Sequence, residues 1–587
     1  MVQIIYAKII EFRRFMEAHE STLKKLLEGV KQFVIPVYQR QFQWNPDERK
    51  HKMMTVTKMW SDVVSLMDTD GGSSHFFGSI VTAPLAGSAS GVSRFLVIDG
   101  QQRLISTSLL LTAIRDAARK LENTDPHYLH FVENIENNYL FNVLREGEEE
   151  YRIVPTKLDK ENYFHILKGN RTTLNWDKLF RASRYFDTVI QEFLEEKGDS
   201  IDRFKLLESL ENTILDKMRI VDVSLHDQDD PQDVFESLNY TGIPLSNWDL
   251  VRNFLLMHYD EPDKQDEKYS SLIEPIQQNI KDVEDDFLRN YLGMKGKVTT
   301  TRNIYNHFKE LMTSTSPVDK ENEWESRMKD LTAASRFFYL LNNPDEIEDT
   351  AVRDTVKFTT DILGMTTQYP IFMKLLSLRD DGSISDTTLI SSMKIVSSYL
   401  LRRSLQYYGT QGLNKFFPTI VNSIGNDPES ALRNELSRGY YSVLGDTEFF
   451  NTLLTHKFAY GIDVKIIKKL LYEIERSVNK EIPDLQDLQL EHIMPITLSD
   501  EWKTDLGEDW ERVYNSYLDT IGNFTLTGYN QELQNFSFEK KRTMENGYKD
   551  SSLRITKELY SREKWGEKEM NERARKIASQ IIEMWKI

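Results

Sequence analysis

Leu490-Glu491-His492-Ile493-Met494-Pro495 and Gly522-Asn523-Phe524-Thr525-Leu526-Thr527 are two short runs, and His492 and Asn523 stand 31 residues apart. The first reads as a strand ending near His492 before a proline, the second as a strand over Ile521–Thr527. Asn530, Asn535 and Lys540 follow where a helix should open, which completes the order strand, strand, helix. The insert Asp500–Asp519 is long enough for a helix of its own.

A site that cuts a phosphodiester with one metal needs few parts. A neutral imidazole must deprotonate water, a neighbour must hold its tautomer, and oxygen ligands must hold a divalent ion. His492 fits the base. Asn523 is placed to orient it by hydrogen bonding, Asn530 to offer an amide oxygen to the ion, and Lys540 to contact phosphate. Glu491 faces away from His492 if the strand is regular, whereas a bend before Pro495 brings both to the site. Taken singly, His492 reads as structural, Asn530 and Asn535 as caps or turn residues, and Lys540-Lys541-Arg542 as a solvated helix face. Their order along the chain favours the catalytic reading.

The N-terminal part carries a second constellation, Ile35-Pro36-Val37-Tyr38-Gln39-Arg40-Gln41-Phe42-Gln43-Trp44 and Ile98-Asp99-Gly100-Gln101-Gln102-Arg103. Phe76–Ala83 and Arg94–Asp99 are strand-like, joined by the Gly/Ser loop Pro84–Ser93, and Arg103–Leu121 has helical periodicity. A strand-to-helix junction at Gly100 offers backbone N–H groups and the positive end of a helix to a phosphate. Gln101, Gln102, Arg103 and Arg40 add donors there. The competing reading is a buried Asp–Arg pair that fixes a turn. Tyr38, Phe42 and Trp44 read as core packing before base stacking. No G-x-x-x-x-G-K-[ST] loop is present.

Between the two lie helices, among them Trp176–Lys197 and Ile201–Met218, with a strand at Arg219–Leu225. Asp230-Pro231 and Ser246-Asn247-Trp248-Asp249 mark helix starts. Residues Asp260–Asp286 read as a solvated acidic connection, and Val464–Val478 as a helix. The division expected is 1–260, a helical middle over 261–450, and 451–587, in an α+β chain that is predominantly helical.

The 587 residues suit two or three domains. With no cysteine, thiolate metal sites and cysteine nucleophiles are excluded, and oxygen and imidazole ligands favour magnesium or manganese. No apolar run reaches membrane-spanning length and no signal peptide is evident, so a cytoplasmic location is expected. The net charge of −18 disfavours nucleic acid, but Tyr529–Ile587 carries 13 Lys/Arg against 10 Asp/Glu.

The pattern EHIMP…W…IGNFTLT…N…N..F..K closely resembles the C-terminal nuclease domain of the GmrSD-type family of modification-dependent restriction enzymes. The resemblance implies a His-Me finger (HNH) ββα-metal nuclease embedded in helices, with His492 as general base and Asn523 as the central Asn. It further implies Glu491 and Asn530 as metal ligands and Lys540 as a further site residue. The N-terminal motifs, with Phe77-Gly78-Ser79-Ile80, resemble the family's other domain, a small mixed α/β fold similar to the ParB/sulfiredoxin group. That implies nucleoside triphosphate binding and hydrolysis at Arg40, Asp99, Gly100, Gln101, Gln102, Arg103 and Ser106. Where the family continues L-T-T-L, this chain has Leu104-Ile105-Ser106-Thr107, one hydroxyl fewer. The segment Asp233–Asn253 also matches, with Asn239, Asp249 and Arg252 in reach of the nucleotide. The expected partners are modified double-stranded phage DNA, a nucleoside triphosphate and a second copy of the chain, with no membrane. A modified-DNA sensor with an inactive nuclease and a nuclease acting on RNA are the rival readings.

Overall fold

The computed structural model describes residues 16–46, 55–67, 73–85, 91–121, 127–170, 175–197, 202–225, 234, 245–259, 261–314, 320–443, 445–528 and 530–587. The chain forms two compact units, Met1–Glu274 and Pro275–Ile587, and is predominantly helical at 64%. Of the helical middle expected over 261–450, the residues from Pro275 onward lie within the same unit as the C-terminal residues.

The first unit is built on a six-stranded mixed sheet in the order β1-β6-β3-β4-β2-β5. Its strands are β1 (Met16–Thr22), β2 (Lys31–Val34), β3 (His75–Pro84), β4 (Ser93–Asp99), β5 (Ile153–Val154) and β6 (Met218–Leu225). β3 runs antiparallel to β4 and parallel to β6. The strands expected at Phe76–Ala83, Arg94–Asp99 and Arg219–Leu225 are therefore present, within two residues at each end. The helix Gln101–Arg119 that follows β4 is buried almost all round, through Leu104, Leu109, Leu110, Leu111 and Ile114. That burial explains its weak amphipathicity, since a helix with core on every side needs no polar stripe. Helix Lys178–Lys197 packs against it, and Ile201–Met218 resolves into helix Arg203–Asn212 and a wider turn, Thr213–Lys217.

Ser246 caps helix Asn247–Met257, and Asp249 reciprocates to the Ser246 backbone, as the sequence suggests. The acidic stretch after it is not a bare connection. It folds as helices Pro262–Lys268 and Glu274–Asn279 around the turn Tyr269–Ile273, because Tyr269, Ile273 and Ile276 give it a buried face. Asp230-Pro231, Asn239 and much of the loop Pro84–Ser93 lie outside the described residues. Among the described residues no helix is long and apolar enough to cross a membrane.

In the second unit the decisive pair is β7 (Gln489–His492) and β8 (Phe524–Thr527), an antiparallel ladder that sets Glu491 opposite Thr525 and His492 opposite Phe524. The second strand is shorter than expected, because Ile521–Asn523 closes into a 3-10 turn. The intervening insert holds two short helices, Asp500–Leu506 and Trp510–Tyr517. Helices Asn530–Leu533 and Phe538–Thr543 follow, so the strand–strand–helix order is as read. Helix Glu567–Met584 closes over the 3-10 turn so tightly that a Cβ on Gly522 would lie 2.2 Å from the Met570 carbonyl oxygen. Only glycine permits that approach.

Candidate active site

His492 ends β7 with its side chain 21% exposed, its ring packed 4.5 Å from that of Phe524. Its Nε2 lies 3.1 Å from Asp519 Oδ1. Asp519 sits in the turn after helix Trp510–Tyr517, and its carbonyl accepts the Phe458 N–H at 2.8 Å, which fixes that turn. A carboxylate on Nε2 favours the tautomer with the proton there and leaves Nδ1 as the basic atom. Among the described residues nothing hydrogen-bonds to Nδ1. Burial holds the imidazole pKa below its usual 6.5, opposed by the Asp519 charge and reinforced by the Lys541 cation. The ring is consequently neutral, and able to accept a proton, at neutral pH.

Contrary to the sequence reading, the Asn523 side chain does not hydrogen-bond to the imidazole. It is fully buried and clamps the chain beside His492. Its Oδ1 accepts from the Met494 N–H at 2.8 Å and from Trp565 Nε1 at 3.2 Å. Its Nδ2 donates to the carbonyls of Met494 (3.0 Å) and Leu518 (2.8 Å). One amide thereby joins the two chain segments that carry His492 and Asp519, and the orienting role passes to Asp519.

Glu491 is likewise displaced from its expected role. Strand alternation is regular, so its side chain leaves the opposite face from His492 and is buried. There it accepts from Lys541 Nζ at 2.6 Å. The Lys541 ammonium, with no exposed side-chain surface, also donates to the carbonyls of His492 (3.1 Å) and Ile493 (3.3 Å). Burial pushes the Glu491 carboxyl up and the Lys541 amine down, each opposed by its partner's charge. Lys540, by contrast, is exposed and lies over the Phe536 ring. The lysine that serves the site is its neighbour. The spacing was readable, since the pattern N..F..K taken from Asn535 and Phe538 arrives at Lys541.

Asn530 opens the short helix Asn530–Leu533, as placed from sequence, but its side chain lies outside the described residues. Asn535 is exposed in the turn that follows. Among the described residues no three His, Asp or Glu side chains converge to hold a metal. With its carboxylate engaged by Lys541, Glu491 does not fit the role of metal ligand expected for it.

In the first unit the turn Asp99-Gly100-Gln101 forms as read. Gly100 caps the helix at φ 100° without a side-chain cap, and the first turn holds no acidic residue. A Cβ on Gly100 would lie 3.1 Å from both Ile80 Cα and the Ser79 carbonyl oxygen. Arg103 Nη2 spans Asp99 Oδ2 (2.9 Å) and the Ser79 carbonyl (2.5 Å), which is the turn-fixing Asp–Arg pair. Gln102 stitches the two motifs, its Oε1 accepting from the Gln43 N–H at 2.7 Å. Gln39 Nε2 donates to the Ile98 carbonyl at 2.9 Å. Tyr38, Phe42 and Trp44 are buried, in keeping with core packing. Arg252 reaches the Tyr38 carbonyl (3.0 Å) and Asp249 (2.8 Å). Burial lowers the Arg40 pKa, with the charges of Asp249 and Asp99 raising it and that of Arg252 lowering it. The Gln101 Oε1 and Ser106 Oγ atoms are buried with no hydrogen-bond partner. Three guanidiniums against two carboxylates and an uncapped helix start suit an anion.

Both halves of the chain match one family. Residues 23–256 match GmrSD restriction endonuclease, N-terminal domain, and residues 445–580 match GmrSD restriction endonucleases, C-terminal domain. The chain belongs to the GmrSD restriction endonuclease family. No curated protein matches it. Each of the two constellations of this GmrSD-family chain falls inside one of the matched segments, and the protein is a DNA endonuclease of the restriction type.

Proposed function

We propose that this GmrSD-family protein cuts modified phage DNA by general-base catalysis at His492, under the control of a nucleoside triphosphate bound at the Asp99–Arg103 turn. The observation that carries the reading is the His492–Asp519 pair at the rim of the hairpin, with Nδ1 left to take a proton from water. Asp519 holds the ring and stabilises the imidazolium as it forms. Lys541, through the carbonyls of His492 and Ile493, holds the backbone that carries the ring. The nucleotide part rests on the anion-compatible helix start at Gly100 and on the guanidiniums of Arg40, Arg103 and Arg252 near it. A divalent ion and a dimer belong to the proposal through their tests, chelation and sedimentation.

The test is a digestion panel. Unmodified, hydroxymethylated, glucosylated and phosphorothioate DNA are each incubated with magnesium or manganese, with and without nucleotide. Cleavage of one modified substrate, dependent on nucleotide and stopped by EDTA, is the expected result. Cleavage of tRNA alone would transfer the reading to RNA, and no cleavage at all would favour a sensor. Gly100→Ala is the variant for the nucleotide arm. Its φ is foreign to alanine and its Cβ meets backbone on two sides, a strain on the order of 1–3 kcal/mol. Nucleotide binding, read by calorimetry, is expected to be lost while nucleotide-independent nicking, if any, is retained.

A further inference from the structure

Four tyrosines of the second unit stand out of the surface. Tyr407, Tyr408, Tyr440 and Tyr460 are 72%, 51%, 93% and 82% exposed. They are not scattered. Tyr407 stacks on His456 at 5.3 Å between ring centres and shares the neighbourhood of Asp463 with Tyr460. The Arg403 guanidinium lies 5.6 Å from the Tyr408 ring and 5.9 Å from that of Tyr441, which also neighbours Phe416 at 4.7 Å and Tyr440 at 5.1 Å. One guanidinium thus connects the loops that carry Tyr408 and Tyr440.

The scaffold beneath is built with care. Tyr407 itself has φ 56°, a conformation costly for a bulky residue. Arg403 Nη2 holds the strained turn by donating to the carbonyls of Tyr408 (3.3 Å) and Gly409 (3.2 Å). The loops 406–415, 437–442 and 455–462 contain Lys415, Arg438 and Lys457, and the acidic residue they meet, Asp463, accepts from the Tyr407 hydroxyl. Arg438 is paired with Glu435 and the Lys457 ammonium donates to the carbonyls of Asn515 and Ser516, so the local positive charge open to a ligand is that of the exposed Lys415. The patch connects to the catalytic edge through buried side chains. His456 packs 4.6 Å from Phe458, and the Phe458 N–H donates to the carbonyl of Asp519, the partner of His492.

We infer that Tyr407, Tyr408, Tyr440 and Tyr460 form a stacking platform for unpaired bases of the nucleic-acid substrate, extruded beside the site of cutting. The inference rests on the nuclease reading of His492. Aromatic faces set on separate loops suit planar bases, each of which offers a π face, and cations between them suit the phosphates that connect those bases. A protein partner would instead favour one contiguous apolar patch.

The experiment measures fluorescence anisotropy of a fluorescein-labelled single-stranded oligonucleotide, over a range of salt concentrations, with the full chain. Tyr440→Ala/Tyr460→Ala is expected to weaken binding by roughly 5- to 100-fold per stacked ring, with the slope of log affinity against log salt unchanged. Tyr440→Phe/Tyr460→Phe, which keeps the rings, retains the wild-type affinity. Lys415→Gln makes the salt slope shallower. Affinity of the alanine variant equal to wild type overturns the platform, as does a wild-type protein that binds no oligonucleotide. So does a dimer in sedimentation that the alanine variant alone dissolves at unchanged affinity, which assigns the patch to a second copy. His492→Ala separates the two claims. Undiminished cutting by that variant, alongside lost affinity in the alanine variant, refutes the base and leaves the platform standing.

Discussion

Replacing His492 by alanine lowers the rate of DNA cleavage by roughly 10²–10⁴-fold and leaves the unfolding transitions almost where they were. The loss follows from removing the one neutral imidazole that pairs with a carboxylate at the hairpin rim. Stability is spared because the ring is partly exposed and its side-chain hydrogen bond is single, worth about 0.5–1.5 kcal/mol. A variant that unfolds early would mean that the ring is structural. Single-turnover cleavage of the preferred substrate, with thermal unfolding of the same samples, separates the two outcomes.

The second large effect falls on stability rather than on the chemical step. Lys541→Met leaves the Glu491 carboxylate buried without its cation and deprives the carbonyls of His492 and Ile493 of a donor. Breaking a buried ion pair from one side costs about 3–5 kcal/mol, because the remaining charge is stranded in low dielectric. The Tyr548 phenol beside it, its pKa driven well up by burial and by the Glu491 charge, offers no compensating cation. Glu491→Gln/Lys541→Met, which removes both charges, is expected to be less destabilised than the single Lys541 variant. Denaturant unfolding of wild type, Glu491→Gln, Lys541→Met and the double variant checks the order, read on the transition that shifts, since a chain of two units need not unfold in one step. A double variant as unstable as the sum of the singles would show that the pair is not coupled.

The β7–β8 hairpin was legible because its two strands are short, β-rich and followed by a helix, and because glycine and asparagine at 522 and 523 mark a tight approach. What was not legible depended on the third dimension. Asp519 lies in an insert that reads as an unrelated helical excursion, and only the folded chain returns its end to His492. Glu491 was assigned to the ion on the chance of a bend, whereas the ladder with β8 stays in register and alternation sends it inward. Lys540 and Lys541 differ by about 100° around a helix, enough to exchange solvent for core, and composition cannot choose between them. At the other end, the strand, glycine and helix of the Asp99–Arg103 turn were written in the sequence. That Arg103 and Gln102 bind the protein's own backbone was not, since donors for a phosphate and donors for a carbonyl are the same residues. The acidic stretch after residue 260 misled by its charge, because three well-spaced apolar residues suffice to bury one face.

The most direct test of the central claim is the pH dependence of kcat/KM for cleavage, in wild type and in Asp519→Asn. His492 has its pKa lowered in the folded enzyme, so its basic form persists as the pH falls past 6.5. The acid limb of the wild-type profile therefore lies below 6.5. Asp519 is the one carboxylate that raises this pKa, so its replacement by asparagine moves the limb to still lower pH and reduces the plateau, as the tautomer is no longer held. An acid limb above 6.5, or one that Asp519→Asn leaves unmoved at an unreduced plateau, would contradict the assignment of the His492–Asp519 pair as the base that cuts.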